Sequence, residues 1–246
     1  MKTIIAAIGA LLAASIANAA EIKVISTQAT EEAYKELVAQ FEKATGHKVT
    51  TFYSGTINVA KKLADGEQYD LVIMSAPAID EQTKLGKVVA GSKVDFAKSG
   101  TGLAVKKGAA KPDIGSVDAF KKTLLNAKSI GYSTGPSGVY VVSVFEKLGI
   151  ANKVKSKLKQ TPSGVFVGTL IANGDTEIGF QQIPELIHFT GIDYAGPLPG
   201  DLQRMTMFST GIHTAAKQSE EAKALVKFLT APTAAPIIKK HGLEPG

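Results

Sequence analysis

Apolar positions along the chain switch between two periods, and the switches mark out its elements. Ile22-Lys23-Val24-Ile25 is a short β-branched run, which predicts a strand. A polar break, Ser26-Thr27-Gln28-Ala29-Thr30, follows it. Ala33, Leu37, Phe41 and Ala44 then recur at helical spacing with Val38 beside them, and Gly46 supplies the stop. Residues 48–53 read as a second strand, Ser54-Gly55-Thr56 as the turn after it, and residues 59–63 as a second helix. Leu71-Val72-Ile73-Met74 is a third, wholly apolar strand that runs into Ser75-Ala76-Pro77. Strands that alternate with helices predict an α/β fold with a parallel sheet covered on both faces. Ligands of such sheets sit beyond the carboxyl ends of the strands. Three hydroxyl-bearing turns are therefore expected on one edge, where helix N-termini offer free N–H groups to an anion.

The second half repeats this grammar. Residues 99–105 predict one strand, 117–127 a helix, and 129–132 a strand ending in Ser133-Thr134-Gly135-Pro136-Ser137-Gly138. A helix over 139–148 follows, then the turn Pro162-Ser163-Gly164 and a helix over about 165–173. Residues 177–182 read as a strand closing on Gln181-Gln182, and 205–212 as another. The segment 219–229 is strongly amphipathic, with Ala222, Leu225, Val226 and Leu229 on one face.

The first residues have a different character. Lys2, an apolar run from Ile4 to Ile16 and the small-x-small triplet Ala17-Asn18-Ala19 read as a secretory signal, residues 1–19. No later stretch is apolar enough to span a membrane, so an exported, periplasmic protein is expected. Cysteine is absent from the 246 residues, which excludes disulfides, thiolate metal sites and thiol nucleophiles. The charge of +6 comes from scattered lysines, with Arg204 the only arginine. A nucleic-acid binder clusters arginines with aromatics on one face, so no nucleic-acid partner is expected. His47, His188, His213 and His241 share no metal-ligand spacing, and no metal or cofactor is expected.

Several segments carry a family resemblance in their order and spacing. They include Phe41-Glu42-Lys43-Ala44-Thr45-Gly46, Ala64-Asp65-Gly66, Pro136-Ser137-Gly138-Val139-Tyr140, Gly174-Asp175-Thr176-Glu177-Ile178-Gly179, and the stretch from Ala222 to Thr230. Over the whole exported chain the sequence resembles the periplasmic molybdate-binding branch of ABC-importer solute-binding proteins. The resemblance implies a two-lobed type II periplasmic-binding fold with parallel-dominated sheets and a ligand cleft between the lobes. Lobe one would be 20–101 plus 205–246, and lobe two 102–204. It further implies a monomer that captures a small anion by hinge closure and presents it to a membrane permease.

The ligand positions implied by the resemblance fall at the strand-end turns. The family's first-turn serine meets Ala29, with Ser26, Thr27 and Thr30 close by. Its serine cluster meets Ser54, Gly55 and Thr56, and its Pro-Ala-Gly-like element meets Pro136, Ser137, Gly138 and Val139. A fourth position falls at Gly164 and Val165, and the family's tyrosine meets Gln182. The residues themselves add Ser75, at the third turn, and Arg204, whose guanidinium can clamp a carboxylate. Alternation along the strand puts Gln181 and Gln182 on opposite faces, so only Gln182 is expected in the cleft. The changed positions favour a small organic acid or another oxyanion, with molybdate or tungstate as the alternative. A rival from another class is a serine esterase. Gly131-Tyr132-Ser133-Thr134-Gly135 fits the nucleophile-elbow pattern, and Asp193 or Asp201 with His213 or His241 gives the chain order. No enzymatic activity is expected, because Gly135-Pro136 intervenes before the helix.

Overall fold

A computed structural model describes residues 19–246. The predicted signal segment therefore lies outside the described residues, apart from its last position. Strands β1 (Glu21–Thr27), β2 (Lys48–Ser54) and β3 (Leu71–Ser75) alternate with helices α1 (Glu31–Thr45), α2 (Thr56–Ala64) and α3 (Ala76–Lys84). Strand β4 (Val94–Ser99) completes the first pass. The second part holds β5 (Thr101–Lys106), α4 (Val117–Asn126), β6 (Ile130–Tyr132), α5 (Pro136–Lys147), α6 (Ala151–Val154) and β7 (Leu158–Gln160). It continues with α7 (Val167–Asn173), β8 (Ile178–Gln182), α8 (Ile183–Ile187) and β9 (Ile192–Pro197). The chain ends with β10 (Thr206–Ile212), α9 (Ser219–Leu229), α10 (Ala235–Lys240) and β11 (Glu244–Pro245).

Two open sheets result. The six-stranded sheet has the order β11-β4-β10-β3-β1-β2 and the five-stranded sheet β7-β6-β8-β5-β9. Each is covered on both faces, which is why β3 is apolar throughout and wholly buried. On one face of the first sheet the stripe Ala33, Tyr34, Leu37 and Phe41 of α1 packs with Leu225 and Leu229 of α9. On the other, Val59, Leu63 and Ile79 from α2 and α3 meet Ile25, Val72 and Met74. In the second sheet Phe180 takes Phe120 and Phe145 edge-on, at centroid distances of 5.9 and 6.3 Å. Such pairs add about 0.5–1.5 kcal/mol each beyond their burial.

The α/β class and the two-lobed architecture stand, with one correction to the sheets. Pairings of β1 with β2 and β3, and of β6 with β7 and β8, are parallel. The five made by β4, β5, β9, β10 and β11 are antiparallel. The sheets are mixed because the strands that pass between them enter without a helical crossover, and only such a crossover brings a chain back parallel. The single strand expected over 99–105 is two, divided at Gly100, with β4 in one sheet and β5 in the other. The chain returns between Pro197 and Thr206.

Two glutamines hold this crossing. The Gln203 side chain accepts from the Thr101 N–H at 3.0 Å and donates to the Thr101 carbonyl at 2.9 Å. A Cβ on Gly100 would lie 2.6 Å from Gln203 Nε2, so the crossing needs glycine there. From the other side, the Gln182 amide is satisfied when its nitrogen donates toward the Gly100 carbonyl and Ser99, each at 3.2 Å. Its oxygen then accepts from Thr206 Oγ1 at 3.0 Å.

Candidate functional site

The carboxyl ends of β1, β2, β6, β7 and β8 face one another across the gap between the sheets. The space between them, about 400 Å³ including its open mouth, is lined by two walls. Thr27, Gln28 and Ala29 ahead of α1, with Gly55 and Thr56 at the start of α2, form the first wall. Ser133 to Ser137 at the start of α5, Thr161, Pro162, Gly164 and Val165, and Gln181, Gln182 and Glu185 form the second, and Phe208 of β10 also lines it. The first-turn N–H groups of α2 and α5 have no carbonyl inside their own helices to bond.

Two hydroxyls in this space are left without partners. Thr27 and Thr161 are 4% and 1% exposed, one in each wall, and neither Oγ1 has a hydrogen-bond partner in the protein. Buried hydroxyls are nearly always bonded, and an unbonded one costs about 1–3 kcal/mol. A ligand that accepts from both would satisfy both walls at once.

Among the described residues no lysine or arginine lines the cleft, and Glu185 is its one ionisable side chain. Its Oε2 accepts from the Gln182 N–H at 3.2 Å, as the third residue of α8 in a capping arrangement. Burial pushes its pKa up to about 7, against the pull of bonds from the Gln181 side chain and the Gln182 N–H. Near neutrality the group is therefore divided between a carboxylate and a neutral acid, and the neutral acid can donate to an anion. Gln181 is itself fixed, its Oε1 accepting from the Val167 N–H at 2.7 Å.

Of the residues singled out from sequence, Thr27, Gly55, Thr56, Ser137, Gly164, Val165 and Gln182 line the cleft. Ser26, Thr30, Ser54, Ser75, Gly138, Val139 and Arg204 do not. Ser26 turns inward, donating to the Thr27 carbonyl at 3.0 Å and lying 3.5 Å from Thr30 Oγ1. Ser54 accepts from Asn58 at 3.0 Å. Ser75 is the buried residue ahead of α3. Gly138 packs so closely that a Cβ there would overlap the Ser133 carbonyl. Val139 is 66% exposed. The Arg204 guanidinium stacks 4.1 Å above the Tyr140 ring.

Both glutamines, rather than Gln182 alone, reach the lining. β8 stops at Gln182 and turns at once into α8, which breaks the strict alternation. The Gln182 amide is nevertheless turned toward the crossing. Gln28, Thr134, Thr161 and Glu185 were missed. The sequence signals for them were the hydroxyl of Thr161 ahead of Pro162, and a Glu three residues after the cap in Gln182-Ile183-Pro184-Glu185.

The esterase geometry is absent. Ser133 Oγ is 3.3 Å from Ser137 Oγ and accepts from the Gly135 N–H, with no imidazole beside it. His241 bonds Glu36 and His188, and the ring of His213 accepts from the Ala215 N–H.

The family model for bacterial extracellular solute-binding proteins matches residues 22–244. The chain belongs to that family. It is a solute-binding protein of the ABC-importer type, and the molybdate-binding-like reading of the sequence holds. An aconitate isomerase of Pseudomonas sp is 34% identical over 250 residues, covering 97% of this chain and 95% of the relative. The molybdate-binding protein ModA of Azotobacter vinelandii is 31% identical over 247 residues, covering 98% and 97%. Among solved structures, the Azotobacter vinelandii periplasmic molybdate-binding protein superposes with a TM-score of 0.76 at 19% identity. That match covers 92% of this chain and 99% of the other, and it supports the fold.

Proposed function

We propose that this protein captures a small organic polyanion, an unsaturated polycarboxylate of the aconitate kind, and delivers it to a membrane permease in the periplasm. The lobes are 20–101 with 205–246, and 102–204, and the chain acts as a monomer without a nucleic-acid partner. The observation that carries this reading is the pair of unbonded hydroxyls, Thr27 and Thr161, facing one space from opposite walls. Because each lobe supplies one of them, the ligand is held better by the closed form than the open one, and such differential affinity drives closure. Glu185 favours a carboxylate, since its neutral form offers an O–H donor to a carboxylate oxygen. The Pseudomonas relative supports the same ligand class.

Calorimetry against cis- and trans-aconitate, citrate, molybdate, tungstate and sulfate tests this reading. The expected result is tighter binding of an aconitate than of molybdate. Thr27→Val and Thr161→Val should each weaken binding by about 5- to 150-fold, the worth of one buried hydrogen bond. Binding of molybdate with no response to any carboxylate would support the alternative, a molybdate or tungstate carrier. The cleft's neutral donors and the Azotobacter relative favour that alternative.

Capture and delivery need no chemical step, and the family consists mainly of binding proteins. A second reading is favoured by one observation, an ionisable carboxyl in the wall of an anion cleft. In that reading the protein isomerises the acid it holds, as the name of the Pseudomonas relative describes for that protein.

A further inference from the structure

We propose that Glu185 is a catalytic residue that carries one proton between two carbons of the bound acid, so that the cleft moves a carbon–carbon double bond along an allylic polycarboxylate. The inference rests on the polycarboxylate reading above. Its basis is geometric. Among the described residues Glu185 is the only side chain in the lining able to take a proton from carbon and return it. The groups around it are hydroxyls, amides and backbone N–H groups, which bind and orient but do not exchange a proton near neutrality. An ionised Glu185 repels a bound anion, so capture uses only its neutral, donating form, whereas proton transfer uses both forms.

The step balances without a co-reactant. The Glu185 carboxylate takes a proton from a methylene carbon that lies between a carboxylate and the double bond. The electron pair of that C–H bond moves into the allyl system, and the negative charge passes onto the neighbouring carboxylate as a dienolate. Glu185 then returns the proton to the far allyl carbon. The double bond is left one position along, and the carboxylate is regenerated. Nothing is oxidised or reduced, and no group leaves. The charge developing on the ligand carboxylate faces Thr27 Oγ1, Thr161 Oγ1 and the first-turn N–H groups of α2 and α5 other than that of Asn58, which are fixed before the reaction starts.

Two features tune the base. The Gln182 N–H and the Gln181 side chain hold its carboxylate in place. Its pKa of about 7 lies where a general base works best at neutral pH. Glu185 also closes the capping box of α8, so the same Gln182 N–H that caps the helix fixes the carboxylate.

Proton NMR of the full protein with cis-aconitate in D2O tests the proposal, alongside calorimetry on the same samples. The wild-type protein is expected to produce the trans isomer with deuterium entering the allyl carbons, at a rate that rises with pH up to about 7. Glu185→Gln keeps an oxygen to accept from the Gln182 N–H. It should still bind aconitate, while turnover falls about 100- to 10,000-fold. Glu185→Asp should restore part of the rate. Tight aconitate binding without isomerisation or exchange would overturn this proposal and leave the capture reading standing. Activity retained in Glu185→Gln would overturn it as well. Failure of any carboxylate to bind would overturn both.

Discussion

The two parts of the molecule meet at two seams that differ in chemistry. At the cleft mouth the contacts are thin and neutral. The Asn58 N–H donates to Ser163 Oγ at 3.3 Å, Asn58 Nδ2 donates to the Ser163 carbonyl at 2.9 Å, and Gln28 Nε2 donates to the Gly164 carbonyl at 3.2 Å. Where α8 meets the C-terminal segment the seam is packed and titratable. Ile183 and Ile187 press on the backbone of Gly242. His188 lies against His241 with ring centroids 4.9 Å apart and the rings tilted by 45°, and His241 bonds the Glu36 carboxylate at 2.8 Å. A seam of three neutral hydrogen bonds between half-buried groups costs little to separate. A packed one resists separation, because its side chains interlock. The difference assigns opening to the mouth and the pivot to the α8 side.

Steric blockade at the mouth gives the largest expected effect. A Cβ on Gly55 would lie 2.5 Å from the Gly164 nitrogen, which is backbone and cannot swing aside. Gly55→Ala should therefore hold the mouth apart, with a larger radius of gyration in ligand-saturated scattering and a loss of affinity of about 100-fold or more. The fold itself should melt as before, because the clash vanishes when the mouth opens. Closure and tight binding in this variant would show that the mouth is not the moving seam. A smaller effect is expected from Asn58→Ala. It removes the donor to the Ser163 carbonyl and weakens binding by about 5- to 15-fold, the worth of a typical net hydrogen bond of about 1 kcal/mol or slightly more. Calorimetry reads it.

The mouth was largely legible in the sequence, and the pivot was not. Hydroxyl and glycine turns at strand ends are local features, so Thr27, Gly55, Thr56 and Ser137 could be named from the order of elements, while Gly164 and Val165 came from the family resemblance. The amphipathic stripes of α1 and α9 and the apolar run of β3 were equally plain, because burial dictates their period. Ser26, by contrast, looked as suitable as Thr27. Only the fold shows that it is spent on a bond inside its own turn. Glu185 was passed over, because only tertiary packing gives it a dry surrounding. Strand β9 was lost because Gly196 and a half-exposed pattern hide its alternation. The imidazole seam joins residues 53 positions apart, and no periodicity relates them.

That imidazole pair gives the smallest predicted effect, and it separates the seams by pH. The Glu36 carboxylate requires a donor from His241 Nε2, so a neutral His241 accepts at Nδ1 from His188 Nε2, 3.1 Å away. Burial, and then the neighbouring His241, hold the His188 pKa below the ordinary imidazole value, against the opposing pull of Glu32. A histidine depressed in the folded state contributes stability above its unfolded pKa of about 6.5, and that stability is lost as pH falls through the lower folded value. Glu185, raised to about 7, opposes this by stabilising the fold as pH falls, so thermal melts of a Glu185→Gln protein should drop below about pH 6.5. His213 contributes in the same direction, its pKa lowered by burial and Lys87. His188→Gln should remove only its own share, a change in the acid-side slope worth about 1–3 °C. The neutral bonds at the mouth carry no such dependence. An acid-side slope identical to wild type in His188→Gln would place the whole effect at His213 and show the α8 seam to be electrostatically silent.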